Sequence, residues 1–248
     1  MKTESISASG AIGQNDRWLY RVGGIAAYIT GILYIIGLVL LVYAGKSPTN
    51  GAAWLSFVNG HRGLWLTVIA DTLGIDIVSL VVNVTLYVAL RPKHRGLALI
   101  ATLWACAANL LIEATTNSNY GSLLSLSSHF ATASTAQQAA NVAAANYASA
   151  ALSSGLTFVY DLALPSIAIV LFGIIMLRSP FGKRIAYLGI VTGVFGLISV
   201  SGWAPAILIN GLLVGVWLIF VGRCLCFRYG AAQELVAPAE IMSETKIS

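Results

Sequence analysis

Six long apolar stretches dominate the chain, at about 22–43, 63–90, 96–115, 155–177, 185–203 and 205–221. A hydrocarbon layer of ~30 Å is crossed by about 20 helical residues, and most of these stretches reach or approach that length. They are continuous rather than alternating, and a backbone facing lipid must satisfy its own hydrogen bonds. The expected fold is therefore an all-α membrane protein, a bundle of six transmembrane helices.

Composition excludes the soluble alternative. Hydrophobic residues make up 58% of the chain and charged residues 9%, against roughly 45–50% and about 25% in soluble domains. So little charge cannot cover a water-facing surface. The net charge of +5 does not point to nucleic acid, because the basic residues sit at the ends of apolar stretches and form no aromatic-interleaved patch. Residues 1–17 are polar and the first apolar stretch lacks a small-residue cleavage site, so it is expected to remain as an anchor.

The basic residues fix an expected topology. Lys2, Arg17 and Arg21 precede the first stretch, and Lys46 and Arg62 lie in the first loop. Arg91, Lys93 and Arg95 fill the second loop, Arg178, Lys183 and Arg184 the fourth, and Arg223, Arg228 and Lys246 the tail. With both termini cytoplasmic, 12 of the 14 basic residues face the cytoplasm, as the positive-inside rule requires. The expected organisation is a cytoplasmic segment 1–21, a six-span domain 22–223 with an outer loop 116–154, and a cytoplasmic tail 224–248. The expected location is a bacterial cytoplasmic (inner) membrane.

The first loop carries Pro48 and Trp54, and 52–59 is expected along the membrane surface. The loop 116–154 is rich in Ala, Ser, Thr, Asn and Gln and holds no Asp, Glu, Lys or Arg. Its second half, 136–152, has good helix formers after the capping residues Ser134 and Thr135. A helix is expected there, running directly into the fourth span. The stretch 236–248 reads as a polar tail.

Four of the nine acidic residues lie inside apolar stretches: Asp71, Asp76, Glu113 and Asp161. An Asp at mid-membrane costs about 2.5–3.5 kcal/mol to insert, whereas each aliphatic neighbour returns roughly 0.3–0.6 kcal/mol. These acids must therefore face the bundle or a wet cavity. In the second span Thr72, Asp76, Ser79, Asn83 and Tyr87 form one stripe at helical spacing. Asn109 and Glu113 are i, i+4 neighbours, Asp161 lies one turn before Pro165, and Asn210 is at a similar depth. The candidate polar pocket comprises Asp71, Asp76, Asn83, Asn109, Glu113, Asp161 and Asn210. One reading makes these groups packing glue, with Arg62 folding in as the charge partner; the other makes them a site for a cation, a proton or a polar small molecule.

Small residues at helix-packing spacing, Gly189 with Gly193 and Gly211 with Gly215, admit close helix contacts within the bundle, with a second copy or with other membrane subunits. Cys106, Cys224 and Cys226 have no neighbouring His or further Cys and make a weak metal set. No lysine lies within a span to anchor a Schiff base, and His61, His94 and His129 fall in loops, so no paired haem ligands arise. No nucleophile elbow or phosphate loop appears, so no enzyme and no metal site is expected. No cofactor is predicted, although a bound lipid or pigment would need no signature residue.

The order of features resembles a bacterial six-helix membrane family defined as a domain of unknown function (4386 type). The resemblance rests on Tyr28 and Gly31 opening the first span, Tyr87 before Leu90-Arg91-Pro92, and Glu113 near the end of the third. Asp161, the exit Leu177-Arg178-Ser179, Gly189, and Trp217-Leu218-Ile219 with Gly222 complete it. Here Phe181-Gly182-Lys183 replaces the family's usual Pro-containing turn. The resemblance spans about 20–223 and implies the fold alone. Two function classes stay open: a structural or accessory membrane component, or a small carrier, channel or sensor with an outward-facing acidic pocket.

Overall fold

The computed structural model describes residues 5–45 and 47–229, with side chains from 17 to 227 apart from 46. Lys2, Lys46, Lys246, the Arg228 side chain and the stretch 236–248 lie outside the described residues. Every described element is helical. Four runs are long and apolar enough to cross a membrane: Arg17–Ala44, Arg62–Phe130, Gly155–Met176 and Ala204–Phe227. The chain is a membrane protein, all-helical over its described residues.

Helix α1, Ser5–Ala44, ends at Gly45, whose φ of 73° supplies the left-handed stop. The surface stretch after it folds as α2, Gly51–Gly60, whose N-cap Asn50 accepts from Ala53 N–H at 2.9 Å. Helix α3, Arg62–Ile112, is 51 residues long; straight, at 1.5 Å per residue, it would be about two and a half times the hydrocarbon thickness. It breaks instead at His94 (φ −159°, ψ 85°), two residues after Pro92. Proline removes a donor and crowds the carbonyl one turn back, and His94 then caps the second arm, its ring accepting from Leu97 N–H at 3.1 Å. The two arms, 62–93 and 95–112, fold against each other. Thr102 Oγ1 donates to the Asn83 carbonyl at 3.4 Å and Asn109 Nδ2 to Ser79 Oγ at 2.6 Å.

The helical run does not stop near 115. It passes through a π turn, Glu113–Asn117, into α4, Ser118–Phe130, so the first part of the uncharged loop is helix continuous with α3. The Ala-rich helix α5, Thr135–Leu152, forms as expected behind Ser134, whose N–H donates to Gln137 Oε1 at 3.2 Å. It does not run into the next span. Ser153 and Ser154 break it, because Ser154 Oγ caps a new helix by accepting from Thr157 N–H at 3.2 Å. That run consists of α6 (Gly155–Phe158), a second π turn (Val159–Ala163) and α7 (Leu164–Met176). A turn through Gly182, at φ 87°, leads to α8, Lys183–Ser199; α9, Ala204–Cys224, closes the bundle and continues into a third π turn, Leu225–Tyr229.

Two clusters of buried side chains divide the molecule. The larger unites α1, both arms of α3, α7, α8 and α9 around residues such as Leu86, Leu90, Phe172, Met176 and Val221. The smaller joins Leu55 and Val58 of α2, Trp65, Leu123 of α4, and Ala145 and Ala148 of α5. It forms a three-helix cap on one end of the bundle. Gly51 N–H donates to Asn146 Oδ1 at 2.6 Å and binds α2 to α5. Outside the bundle, Ile25, Ile32, Val39, Leu103, Val194 and Leu212 are exposed, an apolar jacket suited to acyl chains.

The bundle is drawn together by glycine. Antiparallel α1 and α9 cross with Gly24 against the Gly222 carbonyl and Gly31 against the Gly215 carbonyl; a Cβ at Gly31 would stand 2.8 Å from that oxygen. Gly193 abuts α7 at the Ser166 carbonyl, Gly189 abuts the Trp217 ring, and Gly211 abuts Leu38. Gly189, Gly193, Gly211 and Gly215 are thus each packed against residues of their own chain.

Candidate functional site

The stripe on the first arm of α3 faces inward and meets the second arm and the first π turn. Asn109 Nδ2 bonds Ser79 Oγ, and Asn117 Nδ2 reaches both Asp76 Oδ2 at 3.1 Å and Glu113 Oε2 at 2.6 Å. Thr116, next in the same turn, donates to both carboxylate oxygens of Asp161, at 3.0 and 2.9 Å. Asp161 itself sits in the second π turn. A π turn widens the helix locally and re-aims the side chains it carries. Here two such turns face each other and hold Glu113, Thr116, Asn117 and Asp161 in one layer.

Arg62 takes no part. It is exposed at the start of α3 and makes no ion pair with these acids; Thr116 and Asn117 supply neutral donors where a guanidinium was expected. Thr116 and Asn117 were not legible as site residues from an uncharged loop, although Asn109, Glu113 and Asn117 share an i, i+4, i+8 spacing that continues the helix.

Beside this layer lies a cavity of about 350 Å³ between the bundle and the cap. Asp71, Asp161, Ser166 and Asn210 provide its polar wall, and Tyr34, Trp54, Phe57, Trp65 and Tyr120 its aromatic one. Among the described residues, no Lys, Arg or His lines it. Asp71 and Asn210 are 6% and 7% exposed, and Asp71 Oδ1 and Asn210 Oδ1 are buried acceptors with no donor among the described residues. Asp71 Oδ2 points at Gly37, where an added Cβ would come within 2.8 Å. The absent side chain on α1 makes room for the carboxylate.

The aromatic wall belongs to the cap. Trp54 and Trp65 meet edge to face with centroids 5.6 Å apart, and Trp65 meets Tyr120 likewise at 5.2 Å. Trp65 Nε1 donates to the Tyr120 carbonyl at 3.1 Å, which fixes the indole plane. These residues are scattered over α2, α3 and α4, and nothing in their spacing announced a common wall.

The remaining predicted site residues lie elsewhere. Asn83 and Asn109, with Ser79 and Trp217, line a smaller cavity of about 50 Å³ deeper in the bundle, which shares Tyr34, Pro165, Ile169 and Val214 with the larger one. Asp76 and Glu113 line neither, being held by Asn117. The expected single pocket is thus three adjoining polar features: a carboxylate layer, an aromatic-walled cavity and a small inner cavity.

Chemically, the larger cavity offers two carboxylates, unmet acceptors and aromatic faces. A buried carboxylate without a counter-charge is costly, and aromatic faces attract cations, most of all when water is excluded. The arrangement suits a positively charged occupant. No curated protein and no solved structure matches the chain. Residues 29–222 match the family described as a domain of unknown function, DUF4386, and the chain belongs to that family.

Proposed function

We propose that this protein is a carrier or sensor of the cytoplasmic membrane that binds a small organic cation in the cavity beneath its helical cap. The observation that carries this reading is Asp71: a carboxylate 6% exposed whose Oδ1 meets no donor, on a cavity wall with no basic side chain, both among the described residues. An ammonium headgroup would supply the missing positive charge, and Trp54, Trp65, Tyr120 and Tyr34 the π faces that a methylated ammonium prefers. The volume falls at the lower end of small-ligand sites.

The topology that serves this reading counts each arm of α3 and the 17-residue α8 as crossings, six in all, with both termini in the cytoplasm. Arg91, Lys93, Arg95, Arg178, Lys183, Arg184 and Arg223 then lie on the cytoplasmic side, and the cap and acids on the other. The cavity is an outward-facing one, and the small inner cavity extends its axis towards the cytoplasm. A purely structural or accessory role accounts for the Asp76–Asn117–Glu113 bonds but not for acceptors left unmet at a cavity surface.

Equilibrium binding to the purified protein tests the proposal, with choline set against its neutral isostere 3,3-dimethylbutan-1-ol. Saturable choline binding, absent for the isostere and lost in Asp71→Asn with folded yield preserved, is the expected result. Equal binding of the two, or none of either, contradicts it.

A further inference from the structure

A second cavity, of about 940 Å³, opens at the opposite end of the bundle from the cap. Lys183 and Arg184 of α8 and Arg223 of α9 surround it, and Phe220, Phe227 and Leu188 form its apolar side. All three cations are exposed, and none has a carboxylate partner among the described residues. The first turn of α8, from Gly182 to Ile185, also lines it. Gly182 precedes it and no side chain caps it, so the N–H groups that a helix leaves unmet are open to an acceptor. A helix N-terminus favours an anion through both its free N–H groups and its dipole.

The two halves of the cleft ask for different chemistry in one molecule. The cations and amides fit a phosphodiester. The phenylalanines are exposed, Phe227 at 68% and Phe220 at 44%, and they continue onto the apolar flank of α9. Arg223 lies in the last turn of α9, near the end of its apolar run, where a basic side chain attracts anionic headgroups. We propose that this cleft is a binding site for an anionic phospholipid, its headgroup held by Lys183, Arg184, Arg223 and the α8 amides and its acyl chain lying along Phe220 and Leu188. A free phosphate would use the cations and leave the aromatic side without purpose. Juxtamembrane Lys and Arg attract anionic headgroups cumulatively, so three together should give a marked preference over a zwitterionic lipid. The inference is independent of the acidic cavity.

Native mass spectrometry of the full chain in detergent tests it, with phosphatidylglycerol and phosphatidylcholine of identical acyl chains in competition. Wild type should retain the glycerol lipid with a preference of about tenfold or more. The combined variant Lys183→Gln, Arg184→Gln, Arg223→Gln should lose that preference, whereas Arg62→Gln, at the other end, should keep it. Replacing Lys183 by Arg and Arg223 by Lys should also keep it, which separates lost charge from lost folding. Equal retention of both lipids, a preference surviving in the triple Gln variant, or displacement by inorganic phosphate as effective as by lipid would each overturn the proposal. So would a preference seen only in a chain ending at residue 229, because the chain's own tail would then be the occupant.

Discussion

Thr116 Oγ1 stands 3.0 and 2.9 Å from the two carboxylate oxygens of Asp161, and each residue sits in its own π turn on a different helical run. This contact ties the end of α3 to the start of α7 at the level where the bundle gives way to the cap. It also shows how the chain keeps an acid inside an apolar bundle without a basic partner: a neutral hydroxyl, carried to the right place by a locally widened helix, serves instead.

Thr116→Val keeps the shape of that side chain and removes the donor. Leaving a buried acceptor unmet costs about 1–2 kcal/mol in such surroundings. Thermal unfolding in detergent should show a lower midpoint for Thr116→Val and one close to wild type for Thr116→Ser. Equal midpoints for all three would show that the hydroxyl does not hold Asp161.

Asn117 bridges Asp76 and Glu113 through one amide nitrogen. Asn117→Asp substitutes an acceptor for the donor and sets a third carboxyl beside two others, so folded yield should fall sharply. Adding Asp76→Asn should restore part of it, because that side chain brings back a donor. Yield from the double variant, measured by size-exclusion chromatography, checks the coupling; strictly additive losses would argue against the bridge.

Glycine positions give a contrast that is independent of the acids. A Cβ at Gly31 would stand 2.8 Å from the Gly215 carbonyl, whereas one at Gly96 meets nothing within 4 Å. Gly31→Ala must push α1 from α9 and should cost about 1–3 kcal/mol. Gly96→Ala, inside the second arm of α3, should be neutral or slightly stabilising. The two thermal midpoints measured side by side decide the matter.

The helices were legible because apolar length is a property of composition, and the break near Arg91-Pro92 because proline carries its geometry with it. The inward stripe from Thr72 to Tyr87 was legible for a similar reason: lipid forbids those side chains any other direction. What escaped was register and long-range assembly. A π turn changes which carbonyl each N–H meets and leaves no mark on composition, so the helical run past Thr115 read as loop, and Thr116 and Asn117 with it. Arg62 read as a counter-charge because it stands at the mouth of the span that carries Asp71 and Asp76. The fold holds it outside and meets the acids from the far side. The aromatic wall joins Trp54, Trp65 and Tyr120 from three helices, and only the assembled cap brings them to one surface.

The cavity's charge and sidedness can be read together at Thr72, a half-buried residue on its wall. A Thr72→Cys chain with Cys106, Cys224 and Cys226 replaced by serine should be treated in intact cells with a cationic trimethylammonium thiosulfonate or an anionic sulfonate analogue. Labelling is expected from outside, about tenfold or more faster for the cationic reagent because the wall attracts positive charge, and slowed by choline. Equal rates for the two reagents, or labelling only after the cells are opened, would contradict an outward-facing cavity built for a cation.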